Sequence, residues 1–239
     1  MSGGRLYLPM VSHFDTQAEA ILDLYRRLRP RFALPEGISM MNPYQVPETW
    51  SVASQFYQKF YGDDKPRVFI FGINPGRFGG GVTGVPFTDP IRLADKCGIP
   101  NHLRRLPELS SEFIYAMIEA YGGVKAFYGR FFFSQMSPLG FLRDGKNLNY
   151  YDDKELMRDC EPFMVSCIRR QLKTMPTFEH CFCMGEGENF KYFSRLNERH
   201  GFFKEIIPLP HPRWVMQYRR RRVGEYVGLY LEKFKKFGE

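Results

Sequence analysis

The five cysteines of this chain, Cys97, Cys160, Cys167, Cys181 and Cys183, include no Cys-x-x-Cys pair. That spacing argues against a zinc ribbon and supplies no four-cysteine set for an iron–sulfur cluster. Cys181 and Cys183 fall in the apolar run HCFCMG, where they read as same-face residues of a buried strand. No metal and no cofactor is expected. Long hydrophobic runs are also missing: the longest are strand-length, well short of the roughly 20 apolar residues of a membrane-spanning helix. The opening stretch, MSGGRLYLPMVSHF, has no apolar segment of the secretory kind. No Ser/Gly or Pro-rich linker, low-complexity block or internal repeat divides the chain. Residues 1–239 are therefore expected to form a single domain of a monomeric, intracellular protein that binds no membrane. The bacterial cytoplasm stands ahead of the nucleus, although a run of arginines also serves as an import signal.

What the chain does hold is apolar and aromatic mass. Of its 239 residues, 44% are hydrophobic and 16% aromatic, enough to bury a substantial core. The net charge is +8 and unevenly spread. Residues 211–239 carry eight Lys/Arg against three Glu, so about five of the net charges lie there, peaking at YRRRR, 218–222. A solvated helix face is the bland reading. Four consecutive arginines wrap around a helix, however, and a patch aimed at a polyanion accounts for them as well.

Periodicity predicts a helix over 16–28, capped by Asp15 or Thr16, and a second over 48–62 ending at Gly62. RVFIFGI, 67–73, is a continuous apolar run of buried-strand type. A helix follows over 111–122, then the strand FFFSQ, 131–135. A helix spans 153–175, with Pro162 interrupting or restarting it. HCFCMG, 180–185, is a third strand, 187–201 a helix, FFKEIIPLP, 202–210, a fourth strand, and a basic helix covers about 217–236. Strands alternating with helices imply an α/β fold: a three-layer α/β/α domain with a central, mainly parallel four-stranded sheet. Ligands in such sheets bind beyond the carboxyl ends of the strands. Asn74, Gln135, Glu186 and His211 each follow or end a strand and should share one rim.

The loop after the first strand, GINPGRFGGGVTGVPF, 72–87, is far longer than a turn requires. Asn74 before Pro-Gly reads either as a turn former bonding its own backbone or as a site residue. Gly76, Gly79, Gly80 and Gly81 allow close backbone approach, but no GK[ST] follows and the spacing is not GxGxxG. Phe87 is either core or a platform for a flat ring, the latter worth roughly 1–3 kcal/mol per stacked base. Gln135 carries a donor and an acceptor suited to reading an amide edge, and equally suited to a satisfied strand end. His211, between prolines in PLPHPRW, adjoins the basic segment.

Taken together, KPRVFIFGINPGRFGGGVTGVPF, RFFFSQMSPLGFL and LPHPRW resemble the motifs of the uracil-DNA glycosylase superfamily, in order, and most closely its single-strand-selective monofunctional family. The interval of 13 residues from Asn74 to Phe87 agrees, and NPY at 42–44 fits a segment ahead of the first motif. The similarity covers roughly residues 40 to 225.

The resemblance implies a monofunctional glycosylase of base excision repair that flips a damaged base out of DNA and hydrolyses its N-glycosidic bond. It implies that Asn74 orients the attacking water and that His211 hydrogen-bonds the departing base. Phe87 would stack on the base, Gln135 would read its edge, and the backbone around Ile73 and Gly76 would line the pocket. The family has Asn where this chain has Gln135, which leaves open uracil, hydroxymethyluracil, hypoxanthine and xanthine. After the HP motif the chain reads RWVMQYRRRR instead of S-P-x-x-P. Arg213, Trp214 and Tyr218 are the candidates for the wedge that fills the flipped base's gap, with Arg213 favoured. Arg219, Arg220, Arg221 and Arg222 are candidates for gripping phosphates. No lysine is placed for Schiff-base chemistry, so no lyase activity is expected. The competing reading is a nucleic-acid-binding module that kept the fold without the chemistry. An enzyme acting on small nucleotides is disfavoured by the C-terminal arginines.

Overall fold

Why these segments meet is answered by a computed structural model, which describes Leu6, Tyr7 and residues 14–237. Residues 1–5, 8–13 and 238–239, which hold most of the N-terminal segment read for targeting, lie outside the described residues. The chain runs β1 (Leu6–Tyr7), α1 (Gln17–Arg26), β2 (Ile38–Met41), α2 (Pro47–Tyr61), β3 (Arg67–Gly72), α3 (Gly80–Thr83) and α4 (Pro90–Asp95). It continues α5 (Leu109–Tyr121), α6 (Val124–Arg130), β4 (Phe131–Gln135), β5 (Gly140–Arg143), β6 (Lys146–Leu148) and α7 (Lys154–Thr174). It closes β7 (Thr177–Met184), α8 (Glu188–His200), β8 (Glu205–Leu209), α9 (Pro212–Tyr218) and α10 (Val223–Phe237).

Local chemistry explains the boundaries. Thr16 caps α1 through a reciprocal pair: its hydroxyl accepts from the Glu19 N–H, and the Glu19 carboxylate accepts from the Thr16 N–H. α7 is one continuous helix although Pro162 lies inside it. Pro162 is exposed, so the carbonyl that loses its donor faces water. The last basic helix of the sequence reading is instead broken. α9 ends at Tyr218, Arg220–Arg222 form a single tight turn, and α10 starts at Val223. The four arginines therefore project from a junction, not around a helix.

The central sheet has the order β8-β7-β3-β4, all parallel, with β1 adding a short antiparallel segment to β7. β3 and β4 are buried at every position, which is why they read as unbroken apolar runs. All five cysteines are free and buried, and Cys181 and Cys183 lie within β7. The register pairs Gly72 with Gln135, Phe71 with Cys183 and Met184 with Leu209. All four strands thus end at one level, and the loops leaving them open on the same rim.

A second, antiparallel sheet, β2-β5-β6, adds to the single sheet expected from the alternation of strands and helices. Its β5–β6 hairpin turns on Asp144 and Gly145, both with positive φ (52° and 68°). That is the conformation Asp-Gly favours in a two-residue hairpin. Among the described residues no helix is long and apolar enough to cross a membrane.

Candidate active site

The loop after β3 is pinned to the small sheet. The Asn74 Nδ2 donates to the Leu148 carbonyl (3.1 Å), and its Oδ1 accepts from the Tyr150 N–H (3.1 Å). The turn reading, in which Asn74 bonds its own backbone, is not what the structure shows. Asn147 Oδ1 accepts from the Arg77 N–H (3.0 Å), and the Arg77 guanidinium donates to the Gly145 carbonyl. Glycine is required where these pieces meet. A Cβ on Gly140 would sit 2.7 Å from the Pro75 oxygen, and one on Gly81 2.7 Å from the Gly76 oxygen.

Phe87 ends the loop with φ at 56°, a left-handed conformation that is strained for a bulky residue. Its ring lies against the end of β3, where a Cβ on Gly72 would approach it to 2.7 Å. The ring centroid is 5.3 Å from that of Phe133 and 6.3 Å from that of His211. Gln135 is buried, and its amide makes no hydrogen bond among the described residues.

His211 is the N-cap of α9: its Nδ1 accepts from the Arg213 N–H at 3.2 Å. That bond leaves the ring proton on Nε2, which has no partner among the described residues. Burial, with the Arg213 charge adding to it, pushes the imidazole down to about 4, so it is neutral at physiological pH.

These residues surround one cavity of about 70 Å³. Its lining includes Ile73, Asn74, Gly76, Phe87, Gln135 and His211, and also Glu108, Ser110, Asn147, Asn149 and Arg213. Six residues singled out in sequence thus converge, and Arg213 joins them. Glu186 does not: it lines a separate cavity with Tyr151, His211 and Trp214. Trp214 is 39% exposed and Tyr218 65%. The small cavity opens into a groove of about 490 Å³ through the shared Glu108, Ser110, Asn147 and Arg213, and the groove adds Arg77, Phe78 and Lys146.

The arginine junction is exposed but only partly free. Arg220 pairs with Glu112 (3.1 Å), Arg222 pairs with Glu225 (2.6 Å), and Arg219 stacks over Trp214 (5.0 Å). Arg221 has no partner among the described residues.

Sequence reasoning missed Glu108, Ser110, Asn147 and Asn149. Asn147 and Asn149 were within reach, because the Asp-Gly between alternating residues marks the hairpin that presents them. Glu108 and Ser110 carry no such local mark.

A model of the uracil DNA glycosylase superfamily matches residues 59–235. A solved structure described as wild-type SMUG2 of Pedobacter heparinus is 40% identical, with a TM-score of 0.89. The match covers 93% of this chain and 98% of that one. No curated protein sequence matches.

Proposed function

The chain belongs to the uracil DNA glycosylase superfamily, near its single-strand-selective monofunctional branch, and from that premise we propose that it excises uracil and other deaminated bases, hypoxanthine and xanthine among them, by direct hydrolysis. The observation that carries this reading is the convergence of Asn74, Phe87, Gln135 and His211 on one small cavity beyond the strand ends.

A base inside a duplex must leave the stack to reach that cavity, at a cost of a few kcal/mol. Phe87 then offers its ring for stacking and Gln135 an uncommitted amide for the base edge. The neutral His211 donates from Nε2 to a base carbonyl oxygen as negative charge gathers on the leaving group. A donor placed in advance at developing charge contributes about 2.7–4 kcal/mol. Asn74 spends one lone pair of Oδ1 on Tyr150 and keeps the other for a water. An amide positions that water and does not deprotonate it, which suffices when the glycosidic bond breaks first and leaves a cationic sugar. The groove with Arg77, Lys146 and Arg213 suits the flanking phosphates, and Arg213 at the cavity mouth suits the wedge. The proposed reaction is hydrolysis without lyase chemistry, carried out by a monomer.

The test separates chemistry from grip. Asn74→Ala or His211→Ala is expected to lower excision by about 100-fold or more while DNA affinity changes little. Joint loss of binding and excision in these variants would refute the roles assigned here.

A further inference from the structure

Glu108 is the ionisable group in the cavity wall that the mechanism above leaves unused. It stands at the N-cap position of α5 but does not cap that helix. Its backbone N–H donates to Asp89 Oδ2 (3.0 Å), and Asp89, fully buried, is held by the Arg92 N–H and guanidinium (2.8 Å each). So anchored, the Glu108 side chain reaches the junction of the small cavity and the groove. Its Oε2 is enclosed and has no hydrogen-bond partner among the described residues.

The Gly-rich loop is shaped around this carboxyl. A Cβ on Gly79 would lie 1.9 Å from Oε2, and one on Gly76 3.1 Å from Oε1. Two glycines thus leave room for an acid whose Oε2 no described residue satisfies. An enclosed oxygen without a partner is destabilising, and native proteins retain such groups where a ligand supplies the missing bond. Gly76 lines the cavity, so Oε1 beside it borders the space to which a deaminated base brings its carbonyl and ring N–H groups.

Building on the glycosylase reading, we propose that Glu108 contacts the flipped base directly and gives its leaving group a second hydrogen bond beside that of His211. A carboxylic acid donates to the departing base, whereas a carboxylate repels its growing negative charge. The surroundings favour the acid. Burial first, then the Asp89 charge, push Glu108 up to about 7 against the pull of Arg213 and Arg92. Arg77 and Lys146 line the same groove, and His211 is neutral. The donating form is present below about pH 7 and is lost as the pH rises through it.

The experiment is single-turnover excision of uracil and hypoxanthine from oligonucleotides between pH 5.5 and 9, by the wild type, Glu108→Gln and Glu108→Ala. Melting temperatures are recorded alongside. The wild-type single-turnover rate constant is expected to fall about tenfold per pH unit above its midpoint. Glu108→Gln, whose amide donates without titrating, loses that limb and lies between the wild type and Glu108→Ala at pH 6. The loss falls on the maximal single-turnover rate more than on the half-saturating enzyme concentration, as for a contact tightened in the transition state. An alkaline limb that persists in Glu108→Gln, or wild-type kinetics in a folded Glu108→Ala, would overturn the assignment of Glu108 alone. A wild type that excises no base at any pH would remove the glycosylase reading and this inference with it.

Discussion

Arg67 and Glu108 stand at opposite ends of the sheet and are treated in opposite ways. Arg67 opens β3 and is 1% exposed. It donates to the carbonyls of Tyr128 (3.1 Å), Lys65 (2.9 Å) and Phe60 (3.2 Å), pairs with Asp63 and lies over the Tyr61 ring (5.1 Å). Glu108 borders the carboxyl ends and has an oxygen with no partner among the described residues. Near it are an uncommitted Gln135 amide, an unpaired His211 Nε2 and Phe87 in a strained conformation. Arg67 commits its guanidinium to holding the fold, although the neighbouring Gln17 Oε1 is buried without a partner among the described residues. The carboxyl ends leave hydrogen-bonding capacity for something the chain does not contain. Unsatisfied buried polarity alone does not mark the site, since Gln17 Oε1, Ser54 Oγ and His180 Nε2 also lack partners among the described residues; Glu108 differs from them in lining the cavity.

The largest expected effect tests the Arg67 end. Arg67→Met takes a donor from the buried Tyr128 carbonyl and the half-buried Phe60 carbonyl, while Lys65 keeps that of Gln17 and Asp63 is 40% exposed; two acceptors left unsatisfied cost together about 3–5 kcal/mol. The melting temperature should fall by roughly 6–20 °C, read by calorimetry, with excision per folded molecule unchanged. Next comes the unsaturated end. His211→Asn retains an acceptor for the Arg213 N–H, so α9 stays capped, but it removes the Nε2 donor. Excision should fall about 100- to 1,000-fold with little change in melting temperature. If stability drops as far as for Arg67→Met, the contrast between the ends is lost. His211 also sets the acid side: its pKa of about 4 keeps the donor tautomer neutral, so its protonation should not depress kcat/KM until the pH falls well below 5.

A smaller effect is expected from replacing Arg219–Arg222 with Ser. Arg220 and Arg222 already answer to Glu112 and Glu225, so fewer than four phosphate contacts should be lost. The slope of log affinity against log salt is expected to flatten by about 2, with the excision step unaltered. The smallest is Glu108→Gln as a stability change. The folded-state pKa of about 7 lies above the ordinary value of 4.5, so the fold binds this proton more tightly than the unfolded chain does. The favourable contribution is present at low pH and disappears as the pH rises through about 7. Glu108→Gln should therefore gain a few degrees over the wild type at pH 8, roughly 2–4 °C per kcal/mol, and little at pH 5. No difference between the two pH values would show that the carboxyl is already satisfied.

Much of this contrast was legible from residues alone. β3 and β4 declared themselves as unbroken apolar runs, and the alternation of strands and helices put Asn74, Gln135 and His211 on one rim. Phe87 could be read as core or platform, and it is both buried and on the cavity wall. Asn74 could not be resolved, because its partners Leu148 and Tyr150 lie more than 70 residues away. Glu108 was invisible for the same reason: its significance comes from Asp89 fixing its backbone and from Gly76 and Gly79 making room. The break at Arg219 has no Gly or Pro to announce it. There, Trp214 beneath Arg219 and Glu112 facing Arg220 accompany a path that periodicity does not encode.

The most direct measurement is base excision by the wild-type protein on labelled oligonucleotides carrying uracil, hydroxymethyluracil, hypoxanthine or xanthine, single- and double-stranded. Chelator is present, and abasic sites are revealed by alkali. The account predicts excision of uracil or a deaminated purine in chelator. No excision of any base, with salt-sensitive DNA binding intact, would contradict it and leave a binding module in which Asn74 does no more than hold a loop.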